Sequence, residues 1–232
     1  MNRTEKTILE LVALSFLFIS LSVGVLLVFD RAFPEGFDSI TGKATTGARV
    51  YIYPALPVDC NISFNPEWNL LSFFCITTYE DMNTFLQNIS DYELIYTYRS
   101  ADSVDPWKVY NPNMPVWVVQ DLEYFSRKEG YWIYFNITNS TNYFFNGSKR
   151  IPTTVSLPAG WSLAGYPTNQ PKLIEESLES INDTLLTVYT MNNTDKNMLN
   201  YTKSSGGVIN ETKPYQGYWI RTNASDNWVV TW

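Results

Sequence analysis

The sequence contains no histidine and only two cysteines. Because imidazole is the usual general base and a common metal ligand, its absence excludes Ser-His triads, histidine proton shuttles and histidine-ligated zinc. Cys60 and Cys75 are too few for a cysteine metal site. In an oxidising compartment we expect them to form one disulfide.

Basic residues are also scarce. Lys and Arg number 16 against 23 Asp and Glu, which gives a formal net charge of −7. A chain that neutralises phosphates needs a basic patch, so we expect no nucleic-acid partner. In contrast, 45% hydrophobic and 16% aromatic residues supply ample material for a packed core.

Motifs with catalytic chemistry are not found either. The segment 160–165 places Ser162 between glycines, but the spacing differs from a nucleophile elbow and no histidine exists to activate the serine. Carboxylate pairs are possible at Asp121 with Glu123 and within the acidic group at 175–179, which fits a solvated helix face better than a glycosidase site. We therefore predict no enzyme activity, no catalytic residue, no metal and no cofactor.

Two short motifs recur along the chain. Gly-Tyr-Trp-Ile occurs at 130–133 and 217–220, and Trp-x-Leu occurs at 68–70 and 161–163. Self-similarity of this kind predicts two tandem related modules with the same core pattern. We expect the repeated tryptophans to be core anchors of the two modules: Trp68, Trp132, Trp161 and Trp219.

The patterns between these motifs predict an α+β, β-rich fold in which each module has a β-α-β-β-β order. A leading strand and module 1 occupy 48–145, and module 2 occupies 151–232. Thr78 is the expected cap of the first helix. We predict helices at 79–89 and 172–181, and strands at 48–56, 68–76, 93–99, 107–110, 130–135, 153–157, 161–165, 185–191, 198–202 and 218–222.

The N-terminal region contains the longest apolar run, at 8–29. Its length matches the helix needed to cross a bilayer, and no small-residue cleavage site follows it, which predicts an uncleaved transmembrane signal anchor. Arg3 and Lys6 precede the run, so residues 1–7 are expected in the cytoplasm and the rest outside the cell membrane. Residues 30–47 then read as a stalk or linker.

Acceptors for N-glycosylation are frequent after the apolar run. Their density is greater than expected of a cytosolic domain and favours a glycosylated exterior. The ten acceptor positions are Asn61, Asn88, Asn136, Asn139, Asn146, Asn182, Asn192, Asn200, Asn210 and Asn223.

Aromatic residues exceed what two small cores are expected to enclose, with 8 Trp, 16 Tyr and 13 Phe. Surplus Trp and Tyr rings on a surface favour glycan stacking or protein contact. The best candidates for exposure lie outside the repeated motifs: Trp107, Trp117, Trp228 and Trp232.

The paired motifs, behind an N-terminal anchor in a chain rich in glycosylation acceptors, resemble the repeat modules of archaeal cell-surface and envelope proteins. The resemblance implies display, adhesion or envelope assembly, with protein or glycan partners and possible self-assembly. Two alternatives remain open. Residues 6–11 resemble the start of a mature type IV pilin, which implies a filament subunit, although Glu5 stands where that family has glycine. The aromatic surplus favours a carbohydrate-binding surface module.

Overall fold

A computed structural model describes residues 40–43, 49–52, 56–76, 79–87, 89–115, 117–149 and 152–231. The chain divides into two compact units, Met1–Pro54 and Ala55–Trp232. In the first unit, strands β1 (Ile40–Lys43) and β2 (Arg49–Ile52) form an antiparallel pair. β1 lies within the predicted stalk, whereas the predicted anchor at 8–29 lies outside the described residues. No helix in the described ranges has the length and apolar character to cross a membrane.

The second unit consists mainly of short antiparallel strands with a few helical turns, which confirms a β-rich α+β class. Its elements up to residue 149 are β3 (Leu56–Phe64), β4 (Glu67–Leu71), β5 (Glu80–Asp81), α1 (Met82–Leu86), β6 (Tyr92–Tyr98), β7 (Trp107–Tyr110), β8 (Tyr124–Phe125), β9 (Tyr131–Phe135) and β10 (Thr141–Lys149). We refer to residues 56–149 as the first half.

The second half comprises residues 153–230. Its elements are β11 (Thr153–Leu157), β12 (Gly160–Gly165), β13 (Lys172–Leu173), α2 (Ile174–Ser177), a 3-10 helix (Glu179–Ile181), β14 (Leu185–Met191), β15 (Met198–Thr202), β16 (Gly206–Gly207), β17 (Glu211–Thr212), β18 (Gly217–Thr222) and β19 (Asp226–Val230).

Strand pairing follows the same order in both halves. The first sheet has the order β4-β9-β6-β7 and the second has β12-β18-β14-β15-β16. Each half also has a pair made from its first and last strands, β3–β10 and β11–β19, and a two-residue pair beside its helix, β5–β8 and β13–β17. Even the register shift in the central strand recurs, between Tyr92 and Leu94 and between Leu185 and Thr187.

Each half encloses its own hydrophobic core. Alternation along β9 buries Tyr131, Ile133 and Phe135 in the first core, and alternation along β18 buries Tyr218 and Ile220 in the second. The first core is rich in phenylalanine, with Phe73 in edge-to-face contact with Phe85 and Phe125. The largest buried ring of the second core is Trp228.

Both helices are shorter than predicted. The predicted helix at 79–89 is helical only over Met82–Leu86, because Glu80 and Asp81 pair with β8 as an extended strand. Its N-cap is Asp81, whose carboxylate accepts a hydrogen bond from the Thr84 N–H at 2.9 Å. Asp81 thus takes the role predicted for Thr78, which is not among the described residues. The predicted helix at 172–181 is divided into β13, α2 and the 3-10 helix.

Several strand boundaries also differ from prediction. The strand predicted at 68–76 ends at Leu71 and a turn follows. β10 extends past the predicted module end at 145, because Thr141–Lys149 pairs along its whole length with β3. β19 forms in a segment for which no strand was predicted, because it pairs with β11.

Candidate functional site

The outer face of the first sheet displays aromatic rings. β9 presents Tyr131 to the core, so Trp132 points to the opposite face, where it meets Trp68 of β4 at a centroid distance of 6.5 Å. Tyr96 of β6 lies 6.1 Å from Trp68, and Trp107 of β7 lies 6.3 Å from Tyr96. These four rings, the first ring cluster, line a shallow depression of about 480 Å³.

The second sheet repeats this arrangement. Trp161 of β12 contacts Trp219 of β18 at 6.3 Å and Tyr189 of β14 at 5.8 Å. With Met198 of β15 these residues form the second ring cluster, which lines a depression of about 470 Å³. Each member occupies the same strand position as its counterpart in the first sheet, with Met198 in the place of Trp107.

The two clusters are in direct contact and form one surface. Tyr98 at the end of β6 lies 5.3 Å from Trp219, and Trp107 lies 5.8 Å from the same ring. Beneath them Leu70, Leu163 and Met191 form a small buried core. We call the combined surface, comprising both ring clusters and Tyr98, the aromatic face.

The placement of the repeated tryptophans corrects the sequence prediction. The four tryptophans were expected to anchor the module cores, but the cores contain the alternating residues Tyr131, Ile133, Tyr218 and Ile220 instead. The tryptophans are half-buried or exposed on the outer face, and the exposed fraction of Trp161 is 36%. On the face opposite the two module cores, Trp68, Trp132 and Trp219 pack against the small buried core of Leu70, Leu163 and Met191.

Exposure outside the repeated motifs is mixed. Trp107 and Trp117 are exposed, at 45% and 79%, as expected. Trp228 was predicted to be exposed, but it is fully buried, stacks on Tyr166 at 5.8 Å and donates its indole N–H to the Ser177 carbonyl at 2.6 Å. Trp232 lies outside the described residues.

The sheets are joined by reciprocal contacts at the repeated glycines. A Cβ on Gly130 would lie 2.9 Å from Leu163 Cδ1, and one on Gly217 would lie 3.0 Å from Leu70 Cδ1. Each repeated glycine therefore admits the leucine of the other half's Trp-x-Leu motif. Matching backbone bonds accompany these contacts: Ser72 N–H donates to the Tyr215 carbonyl at 2.9 Å, and Gly165 N–H donates to the Lys128 carbonyl at 2.9 Å.

Charge is sparse on the aromatic face and concentrated beside it. Arg221 lies beside the second cluster, with its guanidinium 5.7 Å from the centre of the Trp161 ring. At the edge of the first sheet Arg99 pairs with Glu129 at 3.1 Å and lies over Tyr124. Burial acts to lower the pKa of the Arg99 guanidinium, but the charge and hydrogen bond of Glu129, together with Tyr124 and Tyr131, raise it overall.

Two buried tyrosines occupy equivalent positions behind the face. The Tyr131 hydroxyl accepts a hydrogen bond from Ser126 N–H at 2.6 Å, and the Tyr218 hydroxyl accepts one from Lys213 N–H at 2.7 Å. Burial raises the pKa of both phenols well above the ordinary value, because a phenolate would lose its hydration.

Cys60 and Cys75 form the predicted disulfide, with Cα atoms 6.5 Å apart. It links β3 to the turn after β4, and both residues are buried beside Phe74. The disulfide therefore fixes β3 to the segment that follows β4 of the first sheet.

The described glycosylation acceptors are mostly accessible. Asn192 and Asn200 are half-buried, and Asn88 lies outside the described residues. The exposed acceptors are Asn61, Asn136, Asn139, Asn146, Asn182, Asn210 and Asn223. Asn136 and Asn223 directly follow β9 and β18, so both halves carry an acceptor at the same position.

Residues considered for catalysis have structural contacts. Ser162 is buried and its hydroxyl lies 3.0 Å from that of Ser100. The Asp121 carboxylate accepts the Val109 N–H at 2.6 Å, while Glu175 and Glu176 are exposed on α2. Within the described ranges no three Cys, Asp or Glu residues are grouped as metal ligands.

Comparison with known proteins supplies no relative. No family model, curated protein or solved structure matches the chain.

Proposed function

We propose that the chain is an outward-facing, single-pass cell-surface protein with a structural or adhesive role, anchored in the cell membrane through residues 8–29. The apolar run, the flanking charges and the density of glycosylation acceptors support the location. The disulfide supports an oxidising compartment. The resemblance of the chain to archaeal envelope proteins suggests assembly or adhesion at the envelope.

The two halves are tandem related modules joined into one display unit. Their matching strand order, the recurrent register shift and the reciprocal glycine contacts support this proposal. In such a unit both Trp-rich sheets present their outer faces together.

The proposed interaction role depends mainly on the aromatic face. A cluster of partly exposed Trp and Tyr rings on a protein surface marks a contact site, because these rings contribute large contact areas at small entropic cost. Trp107, Trp161 and Tyr189 are exposed in a setting where their neighbours are also rings. We infer that this face binds a component of the envelope.

Location is tested by protease treatment of intact cells that produce the full chain. The region after Phe29 is expected to be degraded while a cytoplasmic marker protein stays intact. Survival of that region in cells whose other surface proteins are degraded would contradict the outward orientation.

The interaction role is tested by attachment of the purified full chain to isolated envelopes. The paired change Trp107→Ala/Trp161→Ala is expected to lower attachment, whereas Trp117→Ala, the same substitution at one exposed ring outside the aromatic face, is expected to leave it unaltered. Equal attachment by all three proteins would reject the aromatic face as the contact surface.

A further inference from the structure

The two ring clusters form a repeated site. Trp68, Tyr96 and Trp132 of the first depression correspond by strand position to Trp161, Tyr189 and Trp219 of the second. The depressions have similar volumes, about 480 and 470 Å³, and Trp107 and Tyr98 connect them through Trp219. A ligand that contacts both would meet the same chemistry twice along its length.

The types of ring distinguish this surface from the first core, whereas the second core contains Tyr and Trp rings, at Tyr166, Tyr218 and Trp228. Phenylalanine is the main aromatic residue of the first core, with Phe64, Phe73, Phe125 and Phe135 all buried. The ring clusters contain only Trp, Tyr and one Met. Indole and phenol rings combine an apolar, electron-rich face with a polar edge, which suits a ligand that is apolar on one side and hydroxylated on its rim. Pyranose rings have this character, with C–H bonds on their faces and hydroxyls around their edges.

The charge of the surface favours a neutral ligand. Neither depression is lined by an acidic or basic side chain. The guanidinium of Arg221 contacts the Trp161 ring but is not part of the lining of the second depression. A phosphate-rich ligand would need several cations, and the chain as a whole has a net charge of −7. Anionic polymers are therefore disfavoured.

From these observations we propose that the aromatic face binds a neutral polysaccharide chain, with sugar rings stacked on both ring clusters. The proposal rests on the proposed interaction role and specifies its partner. Equivalent clusters in one continuous surface suit a polymer of repeating units better than a protein of irregular surface. The acceptors Asn136 and Asn223 lie at the ends of β9 and β18, and glycans attached to them would add bulk beside the face. A thin polysaccharide chain can bind beside such glycans more readily than a second protein with a broad surface can.

Binding is tested with the full chain in a detergent that lacks a sugar headgroup, after enzymatic removal of attached glycans. The probes are neutral hexasaccharides of glucose and of N-acetylglucosamine, together with neutral glycans released from the envelopes of the producing cells. Tryptophan fluorescence and titration calorimetry report binding. We expect at least one neutral probe to bind and to change the tryptophan emission.

The variants use the exposed ring of each cluster, because neither Trp107 nor Trp161 belongs to a buried core group. Loss of one stacking ring is expected to weaken binding roughly tenfold, equivalent to about 1.4 kcal/mol. The double variant is expected to show no measurable binding, while Trp117→Ala binds as the unaltered chain. Near-ultraviolet circular dichroism confirms that each variant is folded.

Envelope treatment separates this inference from the broader function. If a glycan is the partner, periodate oxidation of isolated envelopes abolishes attachment and protease digestion preserves it. Attachment that depends on Trp107 and Trp161, survives periodate and is lost after protease digestion would show that the partner is a protein. That result would overturn the proposal of a glycan ligand and leave the interaction role intact. Absence of binding to every neutral probe, or equal binding by the double variant, would also overturn the proposal.

Discussion

The two halves have the same strand order but close their cores differently. The first half uses the disulfide between Cys60 and Cys75. At the matching positions, counted from the equivalent tryptophans Trp68 and Trp161, the second half has Thr153 and Thr168, both buried. Its core is instead filled by Trp228. A covalent link and a large buried ring thus serve the same architecture.

The halves also differ on their outer faces. Tyr134 in the first half corresponds to Arg221 in the second, and Trp107 corresponds to Met198. The repeated glycines and the leucines that they contact are present in both halves. Under the proposed glycan-binding role, we expect any difference in ligand preference between the clusters to arise at these two positions, while the retained positions maintain the junction.

Removal of Trp228 should have the largest effect on stability. Trp228→Ala deletes a fully buried ring together with its hydrogen bond to Ser177. We expect a loss of about 3–5 kcal/mol in the free energy of unfolding, measured by denaturant titration. The matched change Trp117→Ala, at a ring that is 79% exposed, should alter stability by less than about 0.5 kcal/mol. Similar losses for both variants would refute the role of Trp228 as the core of the second half.

Loss of the disulfide should have the next largest effect. The bond closes a loop with a sequence separation of 15 residues, so Cys60→Ala/Cys75→Ala should lower the free energy of unfolding by about 3 kcal/mol. Reduction of the unaltered chain should have a comparable effect, and reduction of the double variant should have none.

The reverse change tests whether the halves are equivalent. Thr153→Cys/Thr168→Cys, introduced into the chain without its native cysteines, is expected to form a disulfide that mass spectrometry detects under non-reducing conditions. Two free thiols after mild oxidation would argue against equivalent geometry at these positions.

Alanine at the repeated glycines should loosen the junction. A Cβ at Gly217 would lie 2.9 Å from the Leu71 carbonyl oxygen, and one at Gly130 would lie 3.0 Å from the Ala164 carbonyl oxygen. Because backbone must move in each case, we expect Gly130→Ala and Gly217→Ala each to destabilise the fold by about 1–3 kcal/mol in denaturant titrations. A large effect at one glycine and none at the other would contradict the reciprocal junction.

Alkaline pH should affect both halves alike. The pKa values of Tyr131 and Tyr218 are raised in the folded state, so the folded chain retains protons that the unfolded chain releases above about pH 10. The stability contributed by these neutral phenols is complete below that pH. It then falls by about 1.4 kcal/mol per pH unit for each tyrosine as pH rises.

The two tyrosines can be separated by substitution. Tyr131→Phe and Tyr218→Phe should each lessen the alkaline slope of the unfolding free energy by a similar amount. An unchanged slope in either variant would show that its phenol does not remain protonated in the folded state.

The sequence predicts where most central strands lie but not which side faces the core. Strands such as Trp107–Tyr110, Thr153–Leu157 and Met198–Thr202 have the predicted bounds, because β-branched and aromatic residues mark them locally. In Tyr131–Phe135 every residue is apolar, so alternation carries no inside-outside signal. The face is decided by packing in the folded chain, where Tyr131 contacts Phe73 from a distant segment as well as the nearby Phe125.

Strands formed by distant pairing were also missed. β10 contains Asn142, Asn146 and Gly147, which locally favour turns, yet it forms nine residue pairs with β3. The aromatic face shares this limitation, because its rings come from strands distributed over both halves. The repeated motifs were the available signal for it, and their interpretation as core anchors was the error.

Attachment of the full chain to isolated envelopes, compared between the unaltered protein and Trp107→Ala/Trp161→Ala with Trp117→Ala as the control, tests the central claim most directly. We predict that the double variant loses attachment while the control retains it, and that periodate treatment of the envelopes abolishes attachment of the unaltered chain. Full attachment of a correctly folded double variant would contradict the assignment of function to the aromatic face.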